Sequence, residues 1–317
     1  MSDEARLIDA LRALATHPGA RGLRDDVAVI PAPLGRDLVL THDMIVEGVH
    51  YLAGDAPADV AWKLLAVNLS DLAAKGAAPV GVLLGYMLGD DVWDRAFAAG
   101  LSKALAAFGV PLLGGDTVAS PGAPRTLGLT AIGRSDSEPP SRSGARPSDH
   151  LWVTGTIGDS GAGLAIVQGE MEGSADLVDR YRNPRPRLDA GQRLAPLVSA
   201  MMDVSDGLLI DLSRMAQASG CSVHLELETV PLSQAYLEAR GENREDRLAA
   251  CTAGDDYELL FAAPADAAAS ILTLADEIGL PCSRIGAFAD GSGLTISESG
   301  VEVALPDRLG FEHHSRA

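Results

Sequence analysis

Carboxylates recur in this chain beside glycines, hydroxyls and an asparagine. They form five short motifs: Asp25-Asp26, Thr41-His42-Asp43, Asn68-Leu69-Ser70-Asp71, Gly114-Gly115-Asp116 and Asp203-Val204-Ser205-Asp206. Each is predicted to stand at the exit of an apolar strand or helix. One such motif is ordinarily a turn or a helix cap. Five in one chain exceed what capping requires, and loops at strand exits are where α/β folds assemble their sites. Carboxylates and hydroxyls without Cys or paired His ligands select magnesium, manganese or calcium over zinc. His42 and His50, with Asp43 and Glu47 between them, match no zinc spacing, and no EF-hand loop is present. Magnesium commonly binds through a few carboxylates, several waters and the phosphates of a substrate. The chemistry these residues point to is therefore a magnesium–phosphate site. Asp71 is the most informative, because it falls near the C-terminal end of an apolar helix, where the helix dipole disfavours a negative charge. On an exposed face Lys75 would be its partner, in an ion pair of a few tenths of a kcal/mol. On a buried face a hard cation is the stronger partner, with Asn68 and Ser70 adding oxygen ligands.

The familiar nucleotide signatures are absent: there is no GxxxxGK[ST] loop and no kinase HRD and DFG set. The stretch Gly155 to Gly163, between a strand and a helix, suits either an anion cradle or tight strand–helix packing. Arg142 reads as a phosphate clamp or a surface arginine. The arginines from Arg180 to Arg187 read as phosphate ligands or, better, as salt-bridge partners of an acidic surface. No Ser-His-Asp order and no HExxH supports hydrolysis through a covalent or zinc route.

The elements that must position these residues follow from hydrophobic period. Helices are predicted over 4–16, 58–75, 91–108 and 265–278, with Gly76 at a C-cap position. Strands are predicted at 27–30, 37–41, 80–87, 110–113, 126–132, 151–154, 222–227 and 257–262. The Ser- and Pro-rich run from Ser135 to His150 divides the chain, giving units over 1–137 and 148–317. The mixture of strands and helices over 317 residues makes the class α/β or α+β with two domains. The balance of 25 Lys and Arg against 44 Asp and Glu, net −19, argues against a nucleic-acid partner. Cys221, Cys251 and Cys282 form no CxxC pair and read as reduced core thiols. With no signal-peptide pattern and no apolar run of membrane-spanning length, the expected location is the cytoplasm, with no membrane partner.

In the order in which they occur, these motifs resemble those of the thiamine-monophosphate kinase family, within the aminoimidazole-ribonucleotide-synthetase-like superfamily. The carrying segments are Asp25-Asp26-Val27-Ala28-Val29, Thr41 to His50, Asn68 to Ala77, Gly114 to Thr117, Arg142-Ser143-Gly144, Asp203 to Leu208 and Gly254 to Leu259. The resemblance implies a two-domain fold with a mixed N-terminal sheet covered by helices on one face. It implies ATP and thiamine monophosphate as substrates, several Mg2+ ions and a homodimer joined through the N-terminal sheets. Carried over by position, Asp26, Thr41, His42, Asp43, Asp71, Asp116, Asp203 and Asp206 are the metal set, and Asp26, Asp43, Asp71 and Asp206 are the catalytic core of it. Gly115, Asp116, Arg142 and Ser205 would meet ATP, while His50, Asp255 and Phe311 would meet the acceptor. This chain has Asp255 where Glu is frequent, Phe311 where Tyr or Trp is frequent, and Lys75 where Met is common. The apolar strands 80–87 and 126–132 would be hazardous as free edges and so suit the dimer.

Overall fold

A computed structural model of the chain describes residues 21, 24, 25, 27–31 and 37–313; the helix predicted over 4–16 and the candidate ligand Asp26 lie outside the described residues. The first sheet contains β1 (Ala28–Pro31), β2 (Asp37–Val46), β3 (Ala78–Met87), β4 (Leu112–Val118) and β5 (Thr126–Ser135), in the order β1-β2-β5-β3-β4. Only the β3–β4 pair is parallel, and it is joined through a helix as such a pair requires. Two helices, α1 (Pro57–Ala74) and α2 (Asp91–Phe108), cover one face of this sheet. The α2 boundaries match the predicted ones because Asp90 accepts the Val92 and Trp93 N–H groups and Gly109 closes the other end in a left-handed conformation.

Strand period 2 divides β2 between the two faces. Val39 and Ile45 enter the core beside Leu127, Leu129 and Ala131 of β5, while His42 and Met44 are exposed on the uncovered face. β3 and β5 prove to be interior strands, contrary to the expectation that they were candidate edges. Among the described strands of this sheet the edges are β1 and the wholly exposed β4.

Helix α1 is buried on nearly every side, from Val60 to Ala74. Leu64, Leu65, Leu69 and Leu72 are fully buried, each worth about 1.5–3 kcal/mol. The reason is its place between the two halves: Ala73 and Ala74 pack with Trp152, Met201 and Phe261 of the second half. Gly76 ends the helix at φ +62°, and the Ala77 N–H returns to the Leu72 carbonyl at 2.9 Å.

The second half runs β6 (His150–Thr154), α3 (Asp159–Val167), α4 (Ala175–Arg182), α5 (Leu188–Leu194), β7 (Ala200–Asp203), α6 (Leu208–Ser219), β8 (Ser222–Glu226), α7 (Gln234–Ala239) and α8 (Arg244–Thr252). It ends with β9 (Leu259–Ala263), α9 (Ala268–Ile278), β10 (Cys282–Ala289), β11 (Gly293–Glu298) and β12 (Val301–Val303). The strand order is β12-β11-β8-β10-β6-β9-β7, antiparallel except for β8–β11. In β9 Leu260 and Ala262 face one core and Leu259 and Phe261 the other, so the sheet carries helices on both faces and reads as a continuous apolar run there. The three cysteines are buried and free. No helix among the described residues is long and apolar enough to cross a membrane.

Candidate active site

The acidic motifs do not all stand at element exits as predicted. Asp43 lies within β2, Asp71 within α1 and Asp116 within β4; among the described residues of these motifs only Asp203, at the end of β7, and Asp206, in the loop after it, keep that placement. The N-terminal part of the site is built from side chains of regular elements. From α1, Asn68 accepts the Asp43 N–H at 2.9 Å, Ser70 donates to Asp203 at 2.5 Å, and Asp71 accepts from the Thr41 hydroxyl. About one turn of helix therefore touches β2 on one side and β7 of the second half on the other. Asp71 and Asp203 are only 8% and 3% exposed, so burial places their carboxylates where a hard cation is an effective partner. Lys75, also fully buried, reaches Asp25 at 2.8 Å and the Met201 carbonyl at 3.0 Å. Burial opposes the Asp25 charge, but Lys75 and Arg21 outweigh it and hold the carboxyl down at about 2. The surface ion pair considered for Lys75 does not apply, because this helix has no exposed face there.

The C-terminal part consists of three loops stitched by main chain. Tyr257 N–H donates to Val204 O at 2.8 Å, Asp255 N–H to Ser205 O at 2.7 Å and Phe311 N–H to Asp206 O at 2.9 Å. Asp211, at the start of α6, accepts the N–H groups of Ser205 (3.1 Å) and Asp206 (3.0 Å), and Arg214 bridges the Asp206 and Asp211 carboxylates. Burial, with the Asp206 charge beside it, pushes Asp211 up to about 7; Arg214 and Arg142 pull the other way. Arg142 thus lies within electrostatic reach of the Asp203–Asp206 loop, and its main-chain carbonyl accepts from Ser219.

The three residues expected to meet the acceptor converge. His50, after β2, stacks obliquely on His313 at 5.3 Å, and His313 meets Phe311 edge-on at 4.9 Å. Asp255 is tied to the His50 carbonyl through Lys63, whose ammonium lies 2.7 Å from Asp255 Oδ2 and 2.9 Å from His50 O. Burial, then His313, lowers the His50 pKa below 6.5, and its Nδ1 accepts the Val46 N–H at 3.1 Å, which leaves the ring proton on Nε2. Tyr257, buried beside them, donates to Asp255 Oδ1 at 3.0 Å and feels the charges of Asp43 and Asp203 as well; its hydroxyl pKa is raised well above 10.0 by burial and then by these carboxylates.

Two candidate ligands are not brought to this cluster. His42 alternates to the uncovered face of the first sheet, where its ring hydrogen-bonds Thr130 at 2.9 Å, so its imidazole points away from Thr41 and Asp43. Asp116 pairs across the sheet with Gly85, Gly128 and Met44 in turn. It therefore lies on that same uncovered face, three strand spacings or about 14 Å from β2. Gly115 sits beside it, where a Cβ would come 2.0 Å from the Leu84 carbonyl. Among the described residues no three His, Cys, Asp or Glu side chains form a metal cage. The oxygens that flank α1, Asp71 with the Thr41 hydroxyl on one side and Asp203 with Ser70 on the other, and Asp43, whose charge reaches Tyr257 as that of Asp203 does, are hard donors of the kind magnesium takes alongside water and substrate phosphate.

The glycine-rich loop resolves in favour of packing. A Cβ at Gly158 would come 2.5 Å from Ala250 Cβ, at Gly161 2.4 Å from Ala253 Cβ, and at Gly163 2.0 Å from the Leu177 carbonyl. The arginine cluster likewise serves salt bridges: Arg182 with Asp55, Arg185 with Asp179, and a two-pronged pair between Arg187 and buried Glu258. Sequence reasoning missed Lys63, Asp211, Arg214 and Tyr257. The legible signal for Lys63 was a charge inside an apolar helical run; the others have no signal short of the fold.

Fold and site together define a class. The chain matches the family model for the AIR synthase related protein N-terminal domain over residues 24–135 and that for its C-terminal domain over 146–298. Within that class the similarity is specific. The thiamine-monophosphate kinase of Caulobacter vibrioides is 44% identical over 93% of this chain and 86% of its own length. The crystal structure of thiamine-monophosphate kinase from Stenotrophomonas maltophilia superposes with a TM-score of 0.78 at 36% identity, over 94% of this chain and 96% of that one. A structure of AaThiL complexed with AMPPCP and TMP gives a TM-score of 0.83 at 29% identity, over 98% and 96% of the two chains. The chain belongs to the thiamine-monophosphate kinase family.

Proposed function

We propose that this enzyme transfers the γ-phosphoryl group of ATP to thiamine monophosphate, giving thiamine diphosphate and ADP by direct in-line transfer assisted by several Mg2+ ions. The observation that carries this reading is the convergence of His50, Asp255 and Phe311, from segments far apart in sequence, beside the buried carboxylates of α1 and β7. Asp43, Asp71 and Asp203 would hold magnesium, with Asp26, Thr41 and Asp206 completing the set by family position. Bound there, the metal would neutralise phosphate oxygens and align donor and acceptor. Arg142 and Ser205, next to the Asp206 loop, are assigned to ATP. Phe311 offers a half-exposed ring to the acceptor, Asp255 an acceptor oxygen, and His50 the proton on Nε2.

No side chain needs to remove a proton. The acceptor is a phosphate monoester whose second pKa is about 6, so it is largely ionised at neutral pH. Purified protein with ATP, magnesium and thiamine monophosphate should form thiamine diphosphate, followed by chromatography; no product under these conditions would leave a nucleotide-binding module or another superfamily activity, with aminoimidazole ribonucleotide synthesis the first to assay.

The acting form is proposed to be a cytoplasmic homodimer of units bounded near 1–137 and 148–317. What supports the dimer is the uncovered sheet face and its β4 edge, where Met44, Leu83, Leu112, Leu113 and Val118 are all 40% exposed or more, an apolar surface suited to a second copy. On this reading Gly115 and Asp116 face the seam between copies rather than the carboxylates of their own chain. Light scattering at micromolar concentration tests it, with a monomer as the contrary result.

A further inference from the structure

Lys63 belongs to no motif of the sequence, yet it is 3% exposed in the middle of α1 and its ammonium lies within the acceptor end of the site. A buried ammonium is tolerated only when its donors are used. Here they are used on three different segments: Asp255 Oδ2 at 2.7 Å, the His50 carbonyl at 2.9 Å and the face of the Tyr181 ring at 4.3 Å. Tyr181 is itself fixed by its hydroxyl to Asp55 at 2.9 Å. Lys63 and His50 come from the first half of the chain, Asp255 and Tyr181 from the second, so this one side chain spans the junction.

The loop it holds is not relaxed on its own account. Asp255 and Tyr257 have φ of +69° and +52°, a region non-glycine residues seldom occupy and keep only where surrounding contacts enforce it. Tyr257 takes one carboxylate oxygen of Asp255 and Lys63 the other. The carboxylate is thereby fixed in direction, with a third of the side chain still exposed and lone pairs left for a substrate N–H or O–H. Lys63 itself is too enclosed to touch a substrate.

We propose that Lys63 is a positioning residue for the acceptor, setting the Asp255 carboxylate against His50 across the junction of the two halves; the proposal rests on the reading of His50 and Asp255 as acceptor contacts. Lys63 acts through Asp255, so its loss weakens acceptor binding and leaves ATP binding and chemistry largely as they were.

The test is steady-state kinetics of K63M, D255N and the K63M/D255N double variant, with thiamine monophosphate and ATP varied separately. K63M should raise KM for the acceptor on the order of tenfold, as expected when an ion-paired binding group is set loose. KM for ATP and kcat should shift less than about threefold, a split that general loss of folding would not produce. The double variant should have close to the acceptor KM of D255N, because the contacts Lys63 keeps there, to the His50 carbonyl and the Tyr181 ring, direct no group that meets the acceptor. Should K63M fold poorly with Asp255 left uncompensated, the double variant removes both charges and carries the comparison with D255N alone. An acceptor KM raised by D255N but not by K63M, or a double variant worse than D255N, overturns the role of Lys63 and leaves Asp255 in the site. An acceptor KM unmoved by D255N overturns the reading of Asp255, and the proposal with it.

Discussion

The two halves of the chain contribute to one site by different means. The first half presents side chains from the interior of regular elements: Thr41 and Asp43 from β2, Asn68, Ser70 and Asp71 from α1. The second presents loops, in which Ser205, Asp206, Asp255 and Phe311 are held by hydrogen bonds between main chains. Elements locked by a fully buried helix fix oxygens to within small tolerances, which suits a site for small hard cations. Loops pinned at a few main-chain atoms keep their side chains at the surface, which suits recognition of a larger and more varied substrate.

That contrast can be broken by substitution. If the carboxylates of the first half are cation ligands, Asp71→Asn should cut turnover by roughly 10³-fold, on the scale of losing a group that stabilises transition-state charge, while melting within a few degrees of the parent. Near-normal turnover would return Asp71 to a structural role as acceptor for Thr41. The glycine-rich loop of the second half supplies the converse case. Gly163→Ala would drive a methyl against the Leu177 carbonyl, with 2.0 Å available. It should lower stability by about 1–3 kcal/mol, read from denaturant unfolding, and leave KM for ATP unchanged. A raised KM for ATP at unaltered stability would make the loop a phosphate cradle after all.

Much of this was legible in the residues themselves. The α2 boundaries, the apolar strands and the acidic motifs follow from local period and capping, which act within a turn or two of chain. What was not legible depends on contacts between distant segments. Asp43 and Asp116 looked like exit-loop residues because glycines and charges usually end strands; pairing with β5 and β3 extends β2 and β4 through them. His42 entered the ligand set through its position in the family motif, but neighbours on a strand point to opposite faces, and here its ring turns away from Asp43. Lys75 looked like a surface partner because nothing local announces that a second unit will cover the far side of α1. Tyr257 lies in a motif segment that says nothing of its partners, and only the return of its loop to Val204 brings it among three carboxylates.

The smallest expected effect decides which half supplies the chemistry at the acceptor, and it concerns His50. Burial and the neighbouring His313 lower its pKa from 6.5, so protonation of the folded protein is confined to more acid pH than in the unfolded chain. The folded state then binds fewer protons than the unfolded one near pH 6, and this group costs stability as pH falls through that range and nothing above about 7. At neutral pH the ring is uncharged, with Nδ1 taken by the Val46 N–H and the proton on Nε2. Such a ring donates a hydrogen bond; it has no free nitrogen lone pair with which to accept a proton from a substrate. His50→Gln, which keeps an N–H donor in the neighbourhood, should therefore raise KM for thiamine monophosphate about fivefold, the scale of one weakened neutral hydrogen bond, with kcat within about threefold. Loss of a general base would instead cost 10²- to 10⁴-fold in kcat. Neither the parent nor the variant should phosphorylate unphosphorylated thiamine, whose hydroxyl would need such a base. A collapse of kcat in His50→Gln, or turnover of thiamine by the parent enzyme, would move proton transfer into the loop after β2 and give the first half of the chain a catalytic base as well as the proposed metal ligands.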